Sequence, residues 1–487
     1  MSTTTAVPDN RIVELMVEVP PGRVVRYDLA ALASALNIAD PGRIAVETDG
    51  GRHALVTVYP SNPLAVMPPP SPADMLMDRH GRIVVGRYHN GRPARRRLFD
   101  PHTGSAQRSL VFGTTGAGKS RTVQYLLACE KRNRIVSWFA DLKGGQSAPE
   151  AAGNVDWHAT TQEEAILMLR AAVAVAEARQ RRYQALGRNA FLIGDPDPLI
   201  SVRIDEANRM LERGAPYRDE ATMLVKELGR TGRSVGIGEE LDAQASHLEE
   251  LGGSDTLRAM LKEGEVTLLR WSSGMMRQLV ADGLLPAGEQ LAPIPKTLRP
   301  RVLRSQFDEG LDDEDDAPGT QGMAYLLSGP HPSALMRHFR VGSITPSAGL
   351  DPAILALYGP EEPARLEKTS WGAADEAYAS RHDPDAMAAL CRAVAEEQQK
   401  KAAGQGAGGG TAGGGSPGGS GKTRLADRIL AALAAGEGPM AVGDILDAVN
   451  RDGGREVSLG GIRNALGGLA DRGDVDRLER GLYGLTR

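Results

Sequence analysis

Residues 109–127 read SLVFGTTGAGKSRTVQYLL, and the reading of the whole chain starts from them. Ser109–Phe112 is a short apolar run of strand character. It meets Gly113, Thr114, Thr115, Gly116, Ala117, Gly118, Lys119 and Ser120, followed by a helical pattern with Val123, Leu126 and Leu127 on one face. The spacing G-x-x-x-x-G-K-S between a strand and a helix is that of a phosphate-binding P-loop. Glycines, having no Cβ, let successive backbone N–H groups turn toward a β-phosphate. A helix starting near Lys119 adds the positive end of its dipole to the same place. Lys119 is expected at the β- and γ-phosphates and the Ser120 hydroxyl on Mg²⁺, with Gly113 through Arg121 cradling ATP.

Two further strands end in acid. Ile135–Ala140 runs into Asp141-Leu142-Lys143-Gly144-Gly145. A carboxylate at the carboxyl end of a strand beside the P-loop is expected to point into the nucleotide crevice of a parallel sheet. Gln162–Leu186 follows as a long helix, with Arg179, Arg181 and Arg182 expected on a solvated face. The apolar run Leu199–Ile204 then closes in Asp205-Glu206, about 85 residues after the P-loop, the pattern of an acidic strand that completes such a site. Asp205 is expected in the Mg²⁺ shell, and Glu206 is expected to polarise the water that attacks the γ-phosphate.

Next come Glu227-Leu-Gly-Arg230-Thr-Gly-Arg233-Ser-Val-Gly236-Ile237 and, further on, Asp242-Ala-Gln244. Taken with GTTGAGKS, DLKGG, the strand ending in IDEA, and Arg270-Trp-Ser-Ser-Gly-Met-Met-Arg277, these residues resemble the FtsK/SpoIIIE family of DNA-pumping ATPases. The resemblance covers roughly residues 80–346 and is greatest to the TraB-like plasmid-transfer translocases of mycelial actinobacteria. It implies a RecA-like core, a homo-hexameric ring and ATP-driven threading of double-stranded DNA. It also implies Gln244 as a sensor of nucleotide state and Arg277 as the arginine reaching a neighbouring subunit's nucleotide, with Arg233 in reserve. Two departures stand out. The strand leading to Gln244 reads Gly238-Glu239-Glu240-Leu241-Asp242, and Arg203 interrupts the strand before Asp205. Carboxylates in a sheet core are costly unless paired or exposed. Either these strands lie near an edge, or the sheet is locally disturbed.

Composition bounds the class. A chain of 487 residues has room for two to four domains, and a net charge of −5 places any nucleic-acid surface locally rather than in bulk. Two cysteines, Cys129 and Cys391, argue against a disulfide framework. No apolar run is long enough to span a bilayer, where many members of the resembling family carry transmembrane helices. The expectation is a cytoplasmic protein, peripheral at the membrane, brought there by DNA or by membrane-associated transfer proteins.

The expected fold class is α/β: a RecA-like P-loop ATPase with a small N-terminal α+β domain and a C-terminal winged-helix domain. The boundaries are 1–79 for the first domain and 80–346 for the motor. A helical segment spans 347–400, a Gly-rich linker 401–421 and the winged helix 422–487. In the first, Asp28–Leu36 reads as a helix and Arg43–Thr48 and Ala54–Tyr59 as strands. A hairpin, Arg82–Tyr88 and Arg95–Leu98, turns at Asn90-Gly91; its Arg92, Arg95, Arg96 and Arg97 are expected on a solvated face rather than on DNA. Residues 401–421 cannot bury a core. The Gly-Ser-Gly-Lys-Thr at 419–423 imitates a P-loop but has Ser416 where the first glycine belongs and no strand before it.

In the last domain Arg424–Ala434, Val442–Asn450 and Leu459–Arg472 read as three helices, and Val475–Leu478 and Leu482–Leu485 as a wing. The third helix would offer Ser458, Arg463 and Asn464 to base edges, with Arg477 and Arg480 of the wing on phosphates. Ten Lys and Arg against ten Asp and Glu in 422–487 leave a protein-binding winged helix open. Two other functions share such a core: a secretion-type protein-export ATPase, and a sequence-specific DNA-binding regulator with a decayed ATPase.

Overall fold

The computed structural model describes residues 11–244, 252–270, 291–297, 319–345, 347–406, 425–436, 438–451 and 457, then 462, 465–466, 469–470, 475–479 and 482–485. The chain divides into two units, Met1–Ala407 and Gly408–Arg487. The first begins with β1 (Val13–Glu18), helix α1 (Leu29–Ala35), β2 (Ile44–Thr48) and β3 (His53–Val58). Asp28 starts α1, its carboxylate accepting the Ala31 N–H at 2.8 Å. The central strand β3 pairs antiparallel with both β1 and β2, and Ala33, Ile38, Ile44, Val56 and Val58 form the core of this small layer.

A ten-stranded sheet makes up the rest of the unit. Its strands are β4 (Arg82–Tyr88) and β5 (Pro93–Arg97), then, after the small hairpin β6 (Phe99–Asp100) and β7 (Ser105–Ala106), β8 (Arg108–Gly113), β9 (Val136–Asp141), β10 (Trp157–Ala159), β11 (Ile200–Asp205), β12 (Ile237–Ala243), β13 (Glu265–Leu269), β14 (Met323–Leu326) and β15 (Met336–His338). The spatial order is β10-β9-β11-β12-β8-β13-β14-β15-β4-β5. From β10 to β13 every pair is parallel, and from β13 to β5 every pair is antiparallel. The helices between strands are α2 (Lys119–Arg132), α3 (Gln162–Ala185), α4 (Asn208–Leu211), α5 (Arg218–Thr231) and α6 (Asp255–Lys262).

Both faces of the parallel half are covered, as crossover helices require. The two-residue alternation of strands sorts the side chains. Val111 and Phe139 join Val123, Leu126 and Leu127 of α2 on one face. Leu110, Phe112, Trp138 and Ala140 join Ile166 and Leu169 of α3 and Leu224 and Leu228 of α5 on the other.

This topology corrects the expectation that β9 lies beside the P-loop strand. The strands flanking β8 are β12 and β13; β9 lies beyond β11. It also corrects the expectation of an edge or a disturbed sheet at the acidic strand. β12 sits between β8 and β11, and all seven of its residues are buried. Of its carboxylates, Glu240 is tolerated because cations meet it. Glu240 lies opposite Arg203 across the β11–β12 pair and is ion-paired with it and with Arg96 of β5. Arg203 also donates to Glu130 of α2 at 2.8 Å, and Glu130 accepts from Ser137 and Ser201. Arg96 is therefore a core residue, not a member of a solvated hairpin face.

Helices α7 (Pro352–Tyr358), α8 (Lys368–Ala379) and α9 (Pro384–Gly406) follow. Glu367, which caps α8, takes both Nε and Nη2 of Arg179, at 2.9 and 2.8 Å. Arg179 also donates to the Val235 and Pro198 carbonyls, and Arg182 to Asp197 at 2.7 Å. Of the three arginines expected on a solvated face, only Arg181 is there; Arg179 is fully buried and Arg182 is engaged below the surface.

The second unit holds α10 (Leu425–Ala435), β16 (Met440–Ala441), α11 (Val442–Arg451), β17 (Val475–Glu479) and β18 (Leu482–Leu485). β18 pairs antiparallel with β16 and β17. Ile429, Leu433, Ile445, Val449, Ile462, Leu466, Leu469 and Val475 form its core, and Ile462, Leu466 and Leu469 are helical.

Candidate nucleotide-binding site

β8 ends at Gly113 and α2 begins at Lys119, so the turn between them opens at the carboxyl end of the sheet. Gly116 and Gly118 have φ of 72° and 102°, a left-handed geometry in which a Cβ would be strained. Gly118 is the N-cap of α2, and a Cβ there would also approach the Gly322 backbone nitrogen to 3.1 Å. The loop is braced from outside. The Gly322 N–H donates to the Ala117 carbonyl at 2.8 Å, Arg270 Nη2 to the Thr115 carbonyl at 2.6 Å, and the Thr114 hydroxyl to the Arg270 carbonyl at 3.2 Å.

Opposite the loop, β11 delivers Asp205 and Glu206. Glu206 has φ of +56°, uncommon for a residue with a side chain and characteristic of strained functional turns. Its N–H donates to Asp205 Oδ1 at 3.0 Å, and the next N–H, of Ala207, to the Asp242 carbonyl at 2.9 Å, which ties the turn to β12. Lys119 Nζ lies 2.9 Å from Glu206 Oε1 and 3.5 Å from Asp205 Oδ1. Lys143 Nζ lies 2.6 Å from the same Oε1, and Gln244 Nε2 donates to Glu206 Oε2 at 3.0 Å. Burial works against the charge on Glu206, but the two lysines outweigh it and hold its pKa down to about 2. Burial likewise opposes the charge on Lys119, and Asp205 and Glu206 outweigh it and raise its pKa.

The fold thus brings Lys119, Asp205, Glu206 and Gln244 to one place, around the P-loop that carries Gly113–Ser120. Ser120 is half-buried in the first turn of α2. Arg121 points instead to Asp351, at 3.2 Å, and Arg233 donates to the Ala106 carbonyl at 3.3 Å. Asp141, expected in the crevice, is fully buried and turned onto its own loop, where it accepts the N–H groups of Lys143, Ser147 and Ala148. Arg477 lies exposed on β17. Arg277, Ser458, Arg463, Asn464 and Arg480 fall outside the described residues. Two residues at the site were not singled out from sequence: Lys143, although the glycines after it mark a turn, and Arg270, which begins the segment read only for Arg277. Among the described residues no group of three His, Cys, Asp or Glu side chains could hold a metal ion by itself, and no helix is long and apolar enough to cross a membrane.

A largely parallel sheet with a glycine-rich turn between a central strand and the helix that follows defines an α/β protein of the P-loop class. No protein-family model and no curated protein matches the sequence. Among solved structures the chain is similar to the pCW3 conjugation coupling protein TcpA, in its monomer form with ATPγS. The match has 16% identity and a TM-score of 0.44, over 69% of this chain and 88% of that one. It is also similar to the cytoplasmic domain of the type VII secretion ATPase EccC of Thermomonospora curvata, at 18% identity and a TM-score of 0.41, over 70% of this chain and 35% of that one. For EssC (ATPases 2 and 3) of Geobacillus thermodenitrificans the values are 15% identity and 0.40, over 65% and 52%.

Proposed function

We propose that this chain is an ATP-driven translocase of double-stranded DNA that serves plasmid transfer. The observation that carries the ATPase half is the meeting of Lys119, Asp205, Glu206 and Gln244 around a P-loop whose glycines hold positive φ. ATP is the substrate, its phosphates on the loop's N–H groups and Lys119. Mg²⁺ fits the residues present, because the fully buried Oδ2 of Asp205 has no hydrogen-bond partner and the Ser120 hydroxyl lies at the helix start. Ser120 and Asp205 would hold the ion, which supplies charge neutralisation at the β- and γ-phosphates. In hydrolysis the water oxygen bonds to the γ-phosphorus as the bond to ADP breaks. The water's proton passes to Glu206, held as a carboxylate and aligned through Gln244.

The DNA half rests on the sequence: the FtsK/SpoIIIE-like motifs, and a second unit with helices and a three-stranded sheet in the order of a winged helix. In this reading Arg277 acts in trans within a homo-hexamer. Ser458, Arg463, Asn464, Arg477 and Arg480 face DNA, and membrane-associated transfer proteins receive the substrate. The test is ATP turnover with and without long duplex DNA. Stimulation by DNA supports the translocase, turnover indifferent to DNA supports an export ATPase, and no turnover supports a regulator with a decayed site.

A further inference from the structure

Lys143 is the second ammonium on Glu206, and the fold goes to some length to put it there. It belongs to no P-loop element. It leaves the end of β9, separated from β8 by β11 and β12, on a loop pinned at several points. Asp141 Oδ1 accepts the Lys143 N–H at 3.0 Å, Asp141 Oδ2 accepts Ser147 at 2.7 Å, and the Leu142 carbonyl accepts Arg209 Nη1 at 3.2 Å. Gly144 and Gly145, at φ of 71° and 82°, then turn the chain away. The backbone that carries Lys143 is therefore fixed while its side chain reaches 2.6 Å from Glu206 Oε1.

Lys119 shares that oxygen, and the sharing is what gives Lys143 a task. When ATP enters, Lys119 belongs to the phosphates, and Glu206 loses one of its two cations. Its backbone is in a strained turn, and its other oxygen has only the neutral amide of Gln244. A carboxylate left so, in a largely buried pocket, would lose its orientation. We propose that Lys143 is the positioning residue of the hydrolytic step. It holds Glu206 in place after Lys119 has moved to the nucleotide, leaving Oε1 with one cation and room for the attacking water. The inference rests on the assignment of Glu206 as the base.

The full-length protein with duplex DNA tests it, through the hydrolysis kcat, the affinity for a non-hydrolysable ATP analogue, and Tm. Lys143→Met should lower kcat about 10- to 100-fold, the usual cost of misplacing a reacting group through its supporting partner. Analogue affinity should change less than threefold and Tm little, because the side chain is about one-third exposed. Lys143→Arg, which restores the cation, should recover most of the lost rate, and Lys143→Gln should not. An unchanged kcat in Lys143→Met overturns the proposal. So does a loss of analogue affinity that matches the loss of rate, which would make Lys143 a phosphate ligand, and so does recovery by Gln as good as by Arg. Glu206→Gln run alongside separates the two assignments. If it hydrolyses ATP normally, the base itself is misassigned and both readings fall; if it is inactive, the base stands and the Lys143 variants alone decide.

Discussion

At the scale of single residues, Glu206 gathers most of the contacts: a left-handed backbone, two ammonium groups and an amide on one buried side chain. Asp205 and Glu206 were legible in the sequence, because an apolar strand that runs into two acids after a P-loop carries those acids to the nucleotide end of a parallel sheet. Lys143 was not, since its meaning depends on β9 pairing beside β11 with Asp141 opposite Asp205, and spacing alone cannot show that pairing. Lys119→Ala should abolish ATP binding, whereas Glu206→Gln should bind ATP and fail to turn it over, as only the latter removes the carboxylate proposed to activate water. Equilibrium binding of a fluorescent ATP analogue, beside phosphate release, measures both outcomes.

At the scale of elements, the informative strand is β12. Its three carboxylates read from sequence as a reason to push it toward an edge, yet it lies at the centre of the parallel sheet. The partner that resolves Glu240 lies 144 positions away, at Arg96, and Glu130 lies 73 positions from Arg203. Charge is visible in a sequence; which charge it will meet is not. A buried pair broken on one side leaves an uncompensated ion, so Arg203→Met should cost about 3–5 kcal/mol in chemical denaturation, far more than removal of the exposed Arg181. Glu239 lies on the opposite face of the same strand with neither carboxylate oxygen hydrogen-bonded. Burial pushes its pKa up to about 8, and Arg108 offsets this only in part. Its folded pKa lies above the unfolded value, so the folded state binds the extra proton. Stability should fall as pH rises from about 4.5 to about 8 and then level off. Replacing Glu239 by Gln should flatten that stretch of the pH–Tm curve; an identical slope in both proteins would mean that Glu239 is charged in the folded state.

At the scale of the whole molecule, the parallel half of the sheet was foreseeable, because strands alternating with helices and a P-loop between two of them leave few topologies. The bracing of residues 347–406 against α3 was not, since it turns on Glu367 meeting Arg179, a pair 188 positions apart. The division into two units predicts that removing residues 408–487 leaves the first folded and hydrolysing ATP with stimulation by any long duplex, but without preference for particular sequences. Loss of the first unit's thermal transition on truncation would refute that independence. The claim that hydrolysis is coupled to movement along DNA is reached most directly by triplex displacement. With ATP, the full-length protein should strip a fluorescent third strand from a long duplex, and the Glu206→Gln protein should leave it bound. A third strand that stays in place while the unaltered protein hydrolyses ATP on that same duplex would contradict the account.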